Sequence, residues 1–221
     1  MPLLGQAAVA MWWDMEAALR GEFEDWHSHE HFPERLGIPG FRRGSRWASL
    51  DSAEGFFVLY ELESYETLTS PPYLARLNAP TPWSAKMMPH HRNMIRSQCR
   101  VLESFGRGLG GFMLTLRLSP LPGQDEALRQ HLRATLAQLP DRPGVTATHL
   151  LQTQTPPASM TQEQKIRGGD AVADWIVLIG GYDSQILRNA FDARTLAANG
   201  AQEKQTASLF RLSHSLTPNE V

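Results

Sequence analysis

The chain carries one cysteine, Cys99, in 221 residues. That excludes an intrachain disulfide and fits a reducing compartment such as the cytoplasm. No apolar run approaches the roughly 20 residues that a bilayer-spanning helix requires, so no membrane partner is expected. Neither sign of charge dominates: the formal net charge is −2, too little for a broad pull toward nucleic acid or anionic lipid. The opening MPLLGQAAVAMWW lacks a basic region and runs directly into acidic residues, so no secretory leader is expected. Phosphate-binding loops and nucleophile elbows are missing as well. There is no P-loop, no strand-linked GxGxxG and no GxSxG, and the glycine-rich GRGLGG at 106–111 is not followed by Lys-Ser or Lys-Thr. What remains is a globular chain, 42% hydrophobic and long enough for one large or two small domains.

Its organisation is a repeat. FFVLYELESYETL (56–68) matches WIVLIGGYDSQIL (175–187): a short apolar run passes through a polar break into a helix. Each is preceded by a helix ending in a Pro-Gly turn, Pro39-Gly40 or Pro143-Gly144. Each is followed by a second helix and a strand with an apolar-Arg-apolar triplet, Cys99-Arg100-Val101 or Phe210-Arg211-Leu212. Matching element order of this kind marks a duplicated unit. Periodicity predicts strands at 8–13, 40–50, 56–63 and 95–105 in the first half, with helices at 15–35 and 65–78. The second half predicts strands at 111–118, 145–155, 173–180 and 206–213, with helices at 125–139 and 184–199. This is βαββαβ twice, the ferredoxin-like unit. Each unit leaves one sheet face bare, and two can bury those faces against each other. The expected fold is therefore α+β: tandem ferredoxin-like repeats forming a pseudo-dimeric α/β barrel, with 1–106 as the first repeat and 107–221 as the second.

Chemistry concentrates in DWHSHEHFPERLGIPGFRRGSR, residues 25–46, where His27, His29, His31, Glu30, Glu34 and four arginines crowd beside Trp26. Titratable groups this dense beside aromatics are costly in a plain core and suggest a pocket wall. On the first helix Leu19, Phe23 and Trp26 form the buried stripe. Its continuation brings His27, Glu30 and His31 to one face, whereas Ser28 and His29 point away. A histidine near a carboxylate titrates close to neutrality and suits proton transfer. His31, His27 and Glu30 are thus the candidate catalytic residues, with helix-end capping as the alternative role for a histidine. The same letters spell H-x-x-E-H, the inverted zinc-hydrolase motif. Pro33 follows at once, and only the loop pair His90-His91 offers a third ligand, so no metal is assigned.

Arg43 leaves the Pro-Gly turn on one strand face and Arg42 and Arg46 on the other. Arg43 could hold a carboxylate or phenolate, or pair with Glu34, Glu61 or Glu63. The segment 69–93 holds five prolines, Tyr73, Trp83, Met87, Met88, His90 and His91. It is too proline-rich for one helix, and it reads as a lid over the cleft or as an arm packed on a neighbour. Trp26, Arg43, Tyr60, Tyr73, Trp83 and Arg92 complete the candidate substrate contacts. Five of six Trp and five of eight His precede Gly106. The site is therefore expected in the first repeat, with the second mainly structural: its helix keeps His131 but packs with Leu128, Leu132, Leu136 and Leu139. The polar insert at 155–174 reads as an exposed ribbon.

The stretch WHSHEHFPER…IPGFRRGSRW, with LTSPPYLARLNAPTPW (68–83) and MMPHHRNMIRSQCRV (87–101), resembles the dimeric α/β-barrel superfamily of EthD-like and antibiotic-biosynthesis-monooxygenase-like proteins. Within it the chain is similar to a bacterial tandem-repeat family of uncharacterised function. The resemblance is strong over about the first hundred residues and architectural over the rest. It implies a small-molecule enzyme or binder doing isomerase, cyclase or cofactor-free oxygenase-like proton transfer on an aromatic or polyketide-like carbonyl compound. A non-catalytic ligand-binding or assembly module is the competing class. No cofactor is assigned, and such a barrel is open to self-association as a homodimer or higher homo-oligomer.

Overall fold

The computed structural model of the chain describes residues 3–154, 161–167 and 170–221. Eight strands close a barrel. In chain order they are β1 (Ala7–Asp14), β2 (Phe41–Ser49), β3 (Gly55–Leu62), β4 (Arg92–Gly106), β5 (Phe112–Leu118), β6 (Val145–Thr153), β7 (Trp175–Gly181) and β8 (Thr206–Leu216). The order around the barrel is β1-β3-β2-β8-β5-β7-β6-β4. Read as β4-β1-β3-β2 and β8-β5-β7-β6, this is the same strand order twice. Two seams, β2 against β8 and β4 against β6, join the units edge to edge. All pairs are antiparallel, so closure leaves neither unit with a bare edge. The expected pseudo-dimeric α/β barrel is the observed fold. The matched Pro-Gly turns also correspond: Gly40 and Gly144 take φ of +94° and +91°, a region open mainly to glycine.

Strand alternation sorts the core. In β1, Ala8, Ala10 and Trp12 point into the barrel with Trp47, Phe57, Leu59, Cys99, Ile176 and Leu178. Val9, Met11 and Trp13 point outward beneath helices, beside Phe23, Trp26, Phe32, Tyr60 and Tyr73. Being buried on both faces, β1 and β3 read as near-continuous apolar runs rather than as alternating ones. The corresponding outer layer of the second repeat is apolar: Leu128, Leu132 and Leu136 of α5 (Asp125–Gln138) pack on Leu116, Val177 and Ile179.

The helices depart from expectation in three places. The first begins later, after a 3-10 turn at Ala17–Leu19, as α1 (Arg20–Trp26). It then passes through a π turn, His27–His31, into α2 (Phe32–Leu36). Pro33 explains the turn: an α-helix would bring its ring against the carbonyl of His29. In the wider turn Phe32 N–H donates instead to His27 O. The expected single helix at 65–78 is a 3-10 turn, Tyr65–Thr69, and then α3 (Pro71–Asn78), followed by α4 (Pro82–Met87). The expected helix at 184–199 is two helices, α7 (Ser184–Arg188) and α8 (Ala193–Ala198), because Asp183 and Asp192 each cap a separate start. Part of the 155–174 insert lies outside the described residues; within it α6 (Gln162–Arg167) packs near α3. No described helix is long and apolar enough to cross a membrane.

Candidate functional site

The π turn decides which first-helix side chains meet. It sets His27 and His31 on one buried face, ring centroids 5.3 Å apart and ring planes tilted by 36°. It also rotates Glu30 away from them, because a wider turn changes the angle between i and i+3. Glu30 Oε1 instead accepts hydrogen bonds from Trp26 Nε1 (3.1 Å), Thr81 Oγ1 (2.6 Å) and Ser84 Oγ (3.4 Å). That carboxylate fastens the start of α4 to α1. His29 points away, as expected, its Nδ1 3.0 Å from Asp25 O on the surface. Ser28 does not, because its Oγ accepts a hydrogen bond from Nη1 of the buried Arg46 of β2 at 3.1 Å.

A cavity of about 30 Å³ lies between the first-repeat sheet and its helices. His31, Tyr60 and Tyr73 line it, together with Arg35, Arg96 and Glu163. Tyr60 rises from β3 toward the helices with its hydroxyl buried and without a hydrogen-bond partner among the described residues. Burial raises the pKa of this phenol strongly, so it remains a protonated donor. Across the pair β2–β3, Gly44 faces Tyr60. A Cβ at Gly44 would approach the Tyr60 ring to 3.1 Å and the Phe32 ring to 3.2 Å, so glycine leaves the tyrosine its place. Tyr73, on α3, receives a hydrogen bond from Arg96 Nη2 at 2.7 Å.

Arg35 and Glu163 close the cavity from above. Arg35 Nη2 donates to Glu163 Oε1, and both side chains are 4% exposed. Arg35 Nη1 has no partner among the described residues. Glu163 comes from α6 of the second repeat, whose Ile166 packs one turn on against the first-repeat core. A buried pair of this kind holds only because each charge has the other. The second repeat thus places a carboxylate at the candidate site. Sequence patterning offered no signal for Glu163, which sits in a polar, uneven stretch. Arg35 was visible only as part of the PER triplet.

The other candidates lie elsewhere. His27 is enclosed by Phe23, Trp26 and Phe32 at 5.3, 5.7 and 4.3 Å between centroids. Burial, reinforced by Arg46, lowers its pKa well below the usual histidine value, so it stays neutral. Trp26 packs its ring 4.6 Å from His31 but does not line the cavity. Arg43 points into the barrel and pairs with Glu61 at 2.7 Å, while Arg42 pairs with Glu63. Trp83 Nε1 donates to Glu22 Oε1 at 3.2 Å on the outer face of α4. Arg92 is exposed, paired with Glu54 at 2.6 Å. Of the H-x-x-E-H residues Glu30 turns to Thr81 and Ser84, and among the described residues no group of three His, Cys, Asp or Glu side chains is placed to hold an ion.

The architecture settles the comparison with known structures. This is the dimeric α/β-barrel fold. An anthrone oxidase-like protein superposes with a TM-score of 0.65 at 14% identity, covering 97% of this chain and 94% of that one. A candidate monooxygenase from Fusobacterium nucleatum also gives 0.65, at 7% identity with 97% and 96% covered. A heme-binding protein from Thermus thermophilus gives 0.53, at 11% identity with 98% and 94% covered. At these identities the likeness is one of fold. No protein-family model and no curated protein matches the chain.

Proposed function

We propose that the chain is a small-molecule enzyme or binder whose site is the helix–sheet cavity at Tyr60. Its proposed chemistry is proton transfer on an aromatic or polyketide-like carbonyl compound. The supporting observation is the Tyr60 hydroxyl: a buried donor with no partner among the described residues, aimed at a cavity that His31 and the Arg35–Glu163 pair also line. A substrate carbonyl oxygen would accept the Tyr60 proton in a hydrogen bond, with the Arg35 charge close by. His31 would take the proton from the adjacent carbon, and the electron pair would move into an enolate whose oxygen Tyr60 and Arg35 stabilise. Returning the proton to another carbon completes an isomerisation; attack by the enolate on a second carbonyl of the substrate breaks that π bond, and the alkoxide formed takes the proton back from His31, which makes a cyclisation. In this reading the first repeat carries the catalytic groups, and the second lends Glu163 to hold Arg35. His27 and Glu30 act by shaping the π turn and fixing α4.

At about 30 Å³ the cavity holds a water molecule, not a ring. In this reading substrate entry requires α3 and α6 to move outward. A haem, which the Thermus protein is named for binding, does not fit beside His31 in a space of this size, and no step is assigned to one. The filled surroundings of His27 favour a second reading, a non-catalytic ligand-binding or assembly module. Hydrogen–deuterium exchange at the α-carbon of an aromatic ketone such as 2-tetralone, followed by NMR, separates the two. The enzyme reading expects catalysed exchange that falls on the order of a hundredfold in His31→Gln with the melting temperature kept. Exchange at the buffer rate with the unmodified protein, or an unaltered rate in His31→Gln, would leave the module reading in front.

A further inference from the structure

Among the described residues the barrel interior, on the other side of the sheet from the cavity at Tyr60, is closed at one end and open at the other. At the closed end Glu61 accepts from Arg43 and from the Leu4 N–H, and Leu3 is buried in the barrel core. At the other end β1, β2, β5 and β6 finish and β3, β4, β7 and β8 begin, leaving two cavities of about 250 and 290 Å³. Arg117 and Ile95 line both.

Arg117 is unusual among the cations of this chain. It comes from β5 on the inward face, with its guanidinium carbon 5.1 Å from the centre of the Trp12 ring. It makes none of the hydrogen bonds or ion pairs found among the described residues. Partial burial, with no acid of the described residues set against it, lowers its pKa. The cation–π contact offsets part of that cost but leaves the planar fork of N–H donors unmatched. The acids at the mouth are occupied elsewhere. Asp51 pairs with Arg188 at 2.7 Å and accepts from Leu209 N–H at 2.8 Å; Asp14 accepts from Asn93 Nδ2 at 2.8 Å; Asp174 accepts from Ser119 Oγ. Lys204 adds a second, exposed cation at the rim of the larger cavity. Trp12, Phe56, Ile95 and Phe210 supply apolar wall, and Ser49 and Ser208 supply hydroxyls.

We propose that the open barrel mouth is a second binding site, for a small aryl carboxylate whose carboxylate sits on Arg117 and whose ring lies along the wall of Trp12, Ile95 and Phe210. The guanidinium fork matches a carboxylate in two parallel hydrogen bonds, which a phenol or an amide cannot reproduce. The two cavities give room for a ring that the closed space at Tyr60 lacks.

Calorimetric titration of the full chain with benzoate, 2-naphthoate and the uncharged isostere benzamide tests this. Saturable binding of the two acids, one per chain, is expected, with no saturation by benzamide. Arg117→Met should weaken binding by about tenfold or more. Its melting temperature should change little, since the half-buried charge removed makes no ion pair among the described residues. Arg117→Lys should retain part of the affinity, and Lys204→Gln should lower it less than Arg117→Met does. Absence of saturation by both acids, equal binding of benzamide, or unaltered affinity in Arg117→Met would each overturn the proposal. Loss of binding in His31→Gln with Arg117→Met unaffected would overturn it too, by moving the ligand to the cavity at Tyr60.

Discussion

Replacing Tyr60 by Phe removes one oxygen atom, and the surroundings of that atom fix what should follow. The hydroxyl is buried and has no partner among the described residues. A buried hydroxyl without a hydrogen bond costs about 1–3 kcal/mol by mutational scales, so its removal returns stability rather than taking it. The cavity of about 30 Å³ can hold one water, which would satisfy the oxygen in part. The gain in Tyr60→Phe is then about 0–2 kcal/mol. For a chain of this size each 1 kcal/mol moves the melting temperature by about 2–4 °C. Scanning calorimetry of the two proteins should therefore show the midpoint unchanged or raised by several degrees. The α-proton exchange proposed for the cavity should meanwhile be lost. A structural tyrosine would behave in the opposite way, with the midpoint falling and exchange untouched. A fall of more than about 2 °C would refute the reasoning, because it would mean that the hydroxyl makes a bond worth on the order of 1 kcal/mol.

Glu163→Ala strands Arg35 in the interior and should cost about 3 kcal/mol in denaturant unfolding. The double replacement Arg35→Met with Glu163→Leu should recover most of that loss, and failure to recover any would mean that the pair is not coupled. Acid should weaken the fold through its buried histidines. His149, held by burial at a pKa of about 3 against 6.5 when unfolded, binds its proton only on unfolding across that window. Stability is then full above pH 6.5 and falls by about 1.4 kcal/mol per pH unit per such histidine as pH drops toward 3. The slope of melting temperature against pH should be shallower in His149→Gln, and an identical slope would count against the assignment. Gly44→Ala pushes a methyl against the Tyr60 and Phe32 rings and should cost about 1–3 kcal/mol. The loss should shrink when it is combined with Tyr60→Leu, read by the same unfolding assay.

The architecture was legible because it is written in periodicity and repetition. Alternation marked the strands, and the doubled element order with its Pro-Gly turns marked the duplication. Closure into one barrel then followed from two sheets with bare faces. The π turn was not legible: Pro33 announces an irregularity, but nothing in HSHEHFP says that the chain will widen a turn rather than end the helix. That one step moved Glu30 from the expected face to Thr81 and Ser84. Arg43 took one of the partners open to it, Glu61, rather than a ligand, whereas Trp83 and Arg92 were plausible contacts by residue type whose partners Glu22 and Glu54 are fixed by tertiary pairing. Glu163 was out of reach for the same reason, since its partner Arg35 lies 128 residues away in sequence.

The repeated strand order supplies its own control for what the fold needs at the cavity. Aligning FFVLYELESYETL with WIVLIGGYDSQIL sets Tyr60 opposite Ile179. Counting back five residues from the matched Gly40 and Gly144 sets Arg35 opposite Leu139. Ile179 and Leu139 are both buried in the second repeat's apolar layer, beside Leu132 and Leu136. One helix–sheet layer of this architecture is therefore complete with aliphatic side chains at these positions. The other carries a phenol and a guanidinium there, together with a carboxylate brought across from α6. Folding alone does not call for those groups, because the sister layer does without them. Their cost is offset only partly by the Arg35–Glu163 pair, since the Tyr60 hydroxyl and Arg35 Nη1 stay unmatched among the described residues. Polar groups kept where an apolar solution sits in the same chain are the arrangement expected of a site that spends stability on binding.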